Sequence, residues 1–109
     1  MGKCINFVVD EQELRYDIGE ESKKIIAGTK GYLSIRCTLS QEWAGCAIVA
    51  KFTRKTYDLN IECPVPLING CCKVPDSMTD YESFYLQLIG ADGGYKITTN
   101  EIKINQCVQ

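Results

Sequence analysis

Seven cysteines are the residues of this chain best equipped for chemistry, at positions 4, 37, 46, 63, 71, 72 and 107 of 109. A thiolate can be a nucleophile, a soft metal ligand or half of a disulfide, and each use demands a spacing. Structural zinc sites draw on two close C-x2–4-C pairs, and thioredoxin-type redox centres need C-x-x-C. Neither spacing occurs. Cys71 and Cys72 are adjacent, and strand neighbours point to opposite faces, so this pair is badly placed to hold one ion. An odd count also leaves at least one thiol without a partner, whereas secreted disulfide scaffolds carry even counts. The expected role is packing, because reduced cysteine behaves as a small buried hydrophobe. Cys37, Cys46 and Cys63 each continue an apolar series. Alternation assigns Cys72 inward with Val74 and Cys71 outward with Lys73.

The remaining inventory is thin. The chain has no histidine, which removes the commonest general base and metal ligand and every Ser-His or Cys-His nucleophile. Carboxylates come in pairs (Glu11 and Glu13, Glu20 and Glu21, Asp76 and Asp80), but all lie in charged connections and read as solvated loops. Gly93-Gly94 lacks the strand-to-helix context of a phosphate loop. No cofactor, metal or catalytic residue is expected, and the chain reads as a non-enzyme. A formal net charge of −2 gives no footprint for nucleic acid. The small basic group Lys51, Arg54 and Lys55 reads as a solvated strand face. No run approaches the roughly 20 apolar residues of a membrane helix. The N-terminus shows no signal-peptide pattern, and Asn6 stands where a myristoylation signal wants Ser or Thr. The expectation is a single domain over 1–109, made and kept in a cytoplasm, where thiols stay reduced.

Hydrophobic residues recur with period two. In "YLSIRCTLS" (32–40), Leu33, Ile35, Cys37 and Leu39 share a face; in "GCAIVAKFTR" (45–54), Cys46, Ile48, Ala50 and Phe52 do so, with Lys51 and Thr53 opposite. "TYDLNIEC" (56–63) puts Tyr57, Leu59, Ile61 and Cys63 together. Pro64 and Pro66 are expected to stop that strand. Asn69-Gly70 and "ADGG" (91–94) signal hairpin turns. "FYLQLIG" (84–90) and "YKITTNEIKIN" (95–105) supply the last strands, and "CINFVV" and "ELRYDI" the first. Residues 19–27 read as a charged connection, and 76–82 as a short helical turn capped by Asp76. About eight short strands with frequent turn signals predict an all-β, immunoglobulin-like antiparallel β-sandwich. Trp43 precedes a strand and does not match the antibody Cys…Trp…Cys order.

With chemistry unpromising, surface remains. Strand edges and loops pair with other chains, and exposed aromatics anchor interfaces. Trp43, Tyr32, Tyr81 and Tyr85 are the candidate interface residues. A second reading is a carbohydrate- or host-surface-binding module in which Trp43 and Tyr32 form a sugar-stacking platform.

The order of features also resembles a known family. "GYLSIRCTLSQEWAGCAIVAKFTR" (31–54), "CKVP" (72–75) and "FYLQLIGADGGYKITTNEIKI" (84–104) are similar to the small immunoglobulin-like domain of tailed-bacteriophage virion proteins, such as the N-terminal domain of baseplate upper proteins and fibre-attachment and head-fibre modules. The resemblance implies a non-catalytic structural protein that decorates or connects a particle. The implied partners are other virion proteins, capsid or tail and baseplate subunits, met in many copies per particle. Location in the virion follows, after synthesis in the host cytoplasm. Such domains usually front a longer protein; this chain ends after its last strand, so it is expected to be a fragment or a free-standing decoration or adaptor subunit.

Overall fold

Period-two alternation obliges each strand to bury one face, and two sheets facing each other satisfy all of them at once. The computed structural model describes residues 2–80 and 82–107. Its strands are β1 (Lys3–Asp10), β2 (Glu13–Tyr16), β3 (Leu33–Leu39), β4 (Ala47–Lys55), β5 (Asn60–Pro66), β6 (Cys71–Lys73), β7 (Ser83–Asp92), β8 (Tyr95–Thr98) and β9 (Ile102–Asn105), with one helix, α1 (Asp76–Thr79). One sheet has the order β2-β1-β3-β6 and the other β5-β4-β7-β8, with β9 beside the first half of β7. The chain is therefore an all-β sandwich. Ile5, Phe7, Leu14 and Ile35 from one sheet meet Ala50, Phe52, Phe84, Leu86, Leu88 and Ile104 from the other, all essentially inaccessible.

Every ladder is antiparallel except one. β1 and β3 run parallel in register from Lys3↔Leu33 to Val9↔Leu39. The hairpin partner β2 takes one side of β1; the chain then crosses below through residues 17–32 and returns on the other side. Parallel neighbours need such a long connection. This connection carries a single 3-10 turn at Glu20–Ser22, in keeping with a charged link rather than a helix.

The turn chemistry is as the sequence prescribes. Asn69 and Gly70 have φ of 53° and 77°, and Ile68 and Cys71 exchange two backbone hydrogen bonds of 2.9 Å around them. Gly70 is required twice over, because a Cβ there would lie 2.8 Å from the Cys37 carbonyl oxygen. Gly93-Gly94 closes the β7–β8 hairpin between the paired Asp92 and Tyr95.

Three local expectations are corrected. Pro64 and Pro66 do not end β5; they lie inside it, paired with Lys51 and Val49. β5 is an edge strand, and Leu67 N–H donating to the Ile48 carbonyl at 2.9 Å sets the phase, so both prolines turn their missing donors away from the sheet. Tyr57 and Leu59 do not join the inward face, because β5 starts only at Asn60. They sit on the β4–β5 turn, at 101% and 61% exposure. Thr53, by contrast, lies on the outer face as the alternation has it, and is buried there, flanked in register by Tyr85 and Glu62. Asp76 does not cap α1. Pro75 is the N-cap, and Asp76 Oδ1 accepts a hydrogen bond from Gly31 N–H at 3.0 Å, tying helix to connection.

Candidate functional site

Trp43 is the sharpest correction. It ends a 3-10 turn, Gln41–Trp43, and its indole is 2% exposed. The ring packs against Gly90 on β7; a Cβ there would come within 2.9 Å of Cε3 and Cζ3. Its Nε1 donates to the Glu11 carbonyl at 2.8 Å. Glu11 sits in the β1–β2 turn at φ 57°, a left-handed conformation uncommon for a side-chain-bearing residue, and this bond helps hold it. Trp43 thus joins both sheets and is no contact residue. The sugar platform fails with it, since Tyr32 lies just before β3 and Trp43 just after it.

The other aromatics divide. Tyr32 is 47% exposed. Tyr85 is half-buried on the outer face of β7, with Lys55 Nζ 4.1 Å above its ring and bound to Glu101 Oε1 at 2.5 Å. Tyr81 lies outside the described residues.

The thiols follow the alternation. All seven are free. Cys72 sits opposite the buried Ile35 and packs on the core, whereas Cys71 is opposite Arg36 on the outer side. Burial pushes both Cys37 and Cys72 up to about 12, each helped by a neighbouring thiol. Such thiols stay protonated and inert. Among the described residues no group of three or more cysteines and carboxylates is gathered to hold a metal.

The paired carboxylates serve the frame. Glu13 meets Arg15 at 3.3 Å, Asp80 meets Lys30, and Lys51 meets Glu62 at 3.6 Å. Glu20 does more. Its Oε1 accepts Asn6 N–H at 2.6 Å and Asn6 Nδ2–H at 3.0 Å, and it pairs with Lys23 at 2.9 Å. Lys23 Nζ in turn donates to the Cys4 carbonyl at 2.9 Å. These two side chains continue the ladder on β1 beyond the end of β2. Lys23, then the Asn6 amide, hold the Glu20 carboxyl below its ordinary value.

Other edges are occupied as well. Asn100, last residue of Thr98-Thr99-Asn100, accepts Leu14 N–H through Oδ1 at 2.7 Å and donates through Nδ2 to the Leu14 carbonyl at 3.2 Å, standing in for a strand against β2. Thr99 fixes this corner: its Oγ1 accepts Leu88 N–H at 3.0 Å. Cys71 spends both outward backbone groups on Ile68, and Cys107 bonds Ile25 and Ala27. β9 keeps a short outward stretch bearing Lys103, an ordinary edge protection.

Surface of another kind opens at the end where β1 and β3 begin. Lys3, Ile25, Ile26, Thr29, Tyr32 and Leu33 line a cleft of about 200 Å³. The β4–β5 turn with Tyr57 and Leu59 projects from this same end, while Ile18, 98% exposed, follows Asp17, whose amide bonds the Asn6 carbonyl midway along β1, and so lies at the sheet edge. The sequence marked only Tyr32 here. Ile25 and Ile26 were hidden within a charged connection, and Tyr57 and Leu59 within an alternation that outruns its strand.

Among the described residues no helix is long and apolar enough to cross a membrane. No protein-family model, curated protein or solved structure matches the chain.

Proposed function

We propose that this chain is a non-enzymatic structural subunit of a tailed-bacteriophage particle, a decoration, auxiliary or adaptor protein that binds capsid or tail and baseplate subunits. The resemblance supplies the particle. The observation that carries the binding role is the exposure of Tyr32, Tyr57 and Leu59 together at one end of the sandwich. Large apolar side chains held in water at loop tips favour contact with another protein. Docking runs through these loops more than through strand edges, because β5 carries two prolines and β2 is covered by Asn100.

The test is cosedimentation of the purified chain with heads, tails and baseplates isolated from the phage whose genes adjoin its own. Saturable binding to one assembly, with density for a small sandwich on it by cryo-electron microscopy, is the expected result. Absence of binding to all three would remove this reading.

A further inference from the structure

Two features of the cleft end match each other. One is a knob. The turn 56–59 is held rigid: Thr56 N–H donates to the Leu59 carbonyl at 2.9 Å, and Leu59 N–H to Thr56 Oγ1 at 3.1 Å. Its tip presents Tyr57, wholly exposed, then Asp58, then Leu59. The other is the hole, whose walls are Ile25, Ile26, Tyr32 and Leu33, with Lys3 and Thr29 completing the lining. Its volume of about 200 Å³ falls below the roughly 300–1,000 Å³ of small-molecule sites. It suits one large side chain.

Charge matches shape. Among the described residues Asp58 takes part in no ion pair, and Lys3 meets a backbone carbonyl, that of Lys24, but no carboxylate. The acid stands between the two apolar residues of the knob, and the ammonium stands beside the apolar walls of the hole.

We infer that the hole receives the knob of a second copy of this chain, Tyr57 entering between Tyr32 and the isoleucines while Asp58 meets Lys3. Knob and hole share one end of the sandwich: β4 starts where β3 finishes and so finishes where β3 starts, and the 25–28 segment bonds to Cys107 and Thr79 nearby. A two-fold axis through this end therefore lets each copy insert into the other. Such an interface is isologous and closes at two. Each inserted tyrosine buries about 150–250 Å², so the interface is small and the dimer is expected to be weak. The inference goes beyond the particle role and does not rest on it, although both draw on Tyr32 and Tyr57.

Sedimentation equilibrium of the 109-residue chain from 1 μM to 1 mM tests it. A monomer–dimer equilibrium is expected. Tyr57→Ser should weaken it at least tenfold with unfolding unchanged, since Tyr57 touches nothing in the monomer. Lys3→Glu and Asp58→Lys should each weaken it, and the double variant should regain most of the loss, because reversed charges meet across the axis. A chain that stays monomeric at 1 mM, a dimer indifferent to Tyr57→Ser, or assembly beyond two copies would overturn the inference. Because the dimer covers Tyr32 and Tyr57, cosedimentation with phage assemblies is read at chain concentrations below the dimer's dissociation constant, where failure of either reading is seen separately.

Discussion

Trp43 and Tyr57, at opposite ends of the sandwich, meet opposite surroundings. At one end Trp43 lies over Gly90, its indole bonds the Glu11 carbonyl, and Tyr95 Oη donates to the Glu42 carbonyl at 3.0 Å. At the other, Tyr57 stands wholly exposed and Tyr32 edges a cleft. Trp43 joins the sheets at the first end, where Tyr95 and Ile68 still stay 46% and 65% exposed; the second end sets its exposed side chains beside a cleft. A tryptophan in a turn is therefore no index of a binding surface unless the residue facing it is known. Here that residue is a glycine, which makes room for the ring.

Substitutions at the two ends should separate stability from association. Trp43→Ala is expected to cost about 3–5 kcal/mol, read by urea denaturation, and Gly90→Ala about 1–3 kcal/mol by overpacking against the ring. Tyr57→Ser should stay within about 0.5 kcal/mol. A comparable loss at Tyr57 would break the comparison. As the only tryptophan in the chain, Trp43 should also emit in the blue and resist iodide quenching.

Asn100→Ala should cost about 1–3 kcal/mol, because it leaves the Leu14 amide and carbonyl without the side chain that pairs them. Hydrogen exchange at Leu14 should rise, with that at Val8 on the same hairpin less affected.

Smaller effects come from titration. The Glu20 carboxyl is held below its ordinary 4.5 in the folded chain. Its stabilisation is complete above 4.5 and is lost as pH falls through the lower folded value. Glu20→Gln should cost about 1 kcal/mol at pH 7 and flatten that acid limb. The opposite sign holds for Cys37 and Cys72. Raised to about 12 from 9.0, they stabilise the fold fully below pH 9, and the contribution falls as pH climbs from 9 toward 12. The smallest effect separates neighbours: Cys71 should react with a thiol reagent well before Cys72 in the folded chain. Equal rates would contradict their opposite faces.

Much of the frame was legible because its causes are local. Alternation fixes which face of β3 or β7 turns inward, and Asn69-Gly70 fixes a turn by backbone chemistry alone. The inward assignment of Cys72 rested on the same period. What escaped depends on distant partners. Trp43 is buried by Gly90, far along the chain. Pro64 and Pro66 are tolerated because β5 has no neighbour on one side, which only the assembled sheet decides. Tyr57 and Leu59 keep the rhythm of β5 although the strand begins after them. The cleft was legible only at Tyr32, since its isoleucines follow a run of charges and become a wall when residues 25–28 bond Cys107 and Thr79.

The claim at the centre is that contact belongs to the cleft end and structure to the Trp43 end. Amide and indole chemical shifts, followed by NMR on diluting the chain from 1 mM to 10 μM, test this most directly. The account predicts shifts confined to residues 2–3, 25–33 and 56–60, with the Trp43 indole and residues 40–46 and 92–101 unmoved. Shifts concentrated at Trp43 and its surroundings would contradict it.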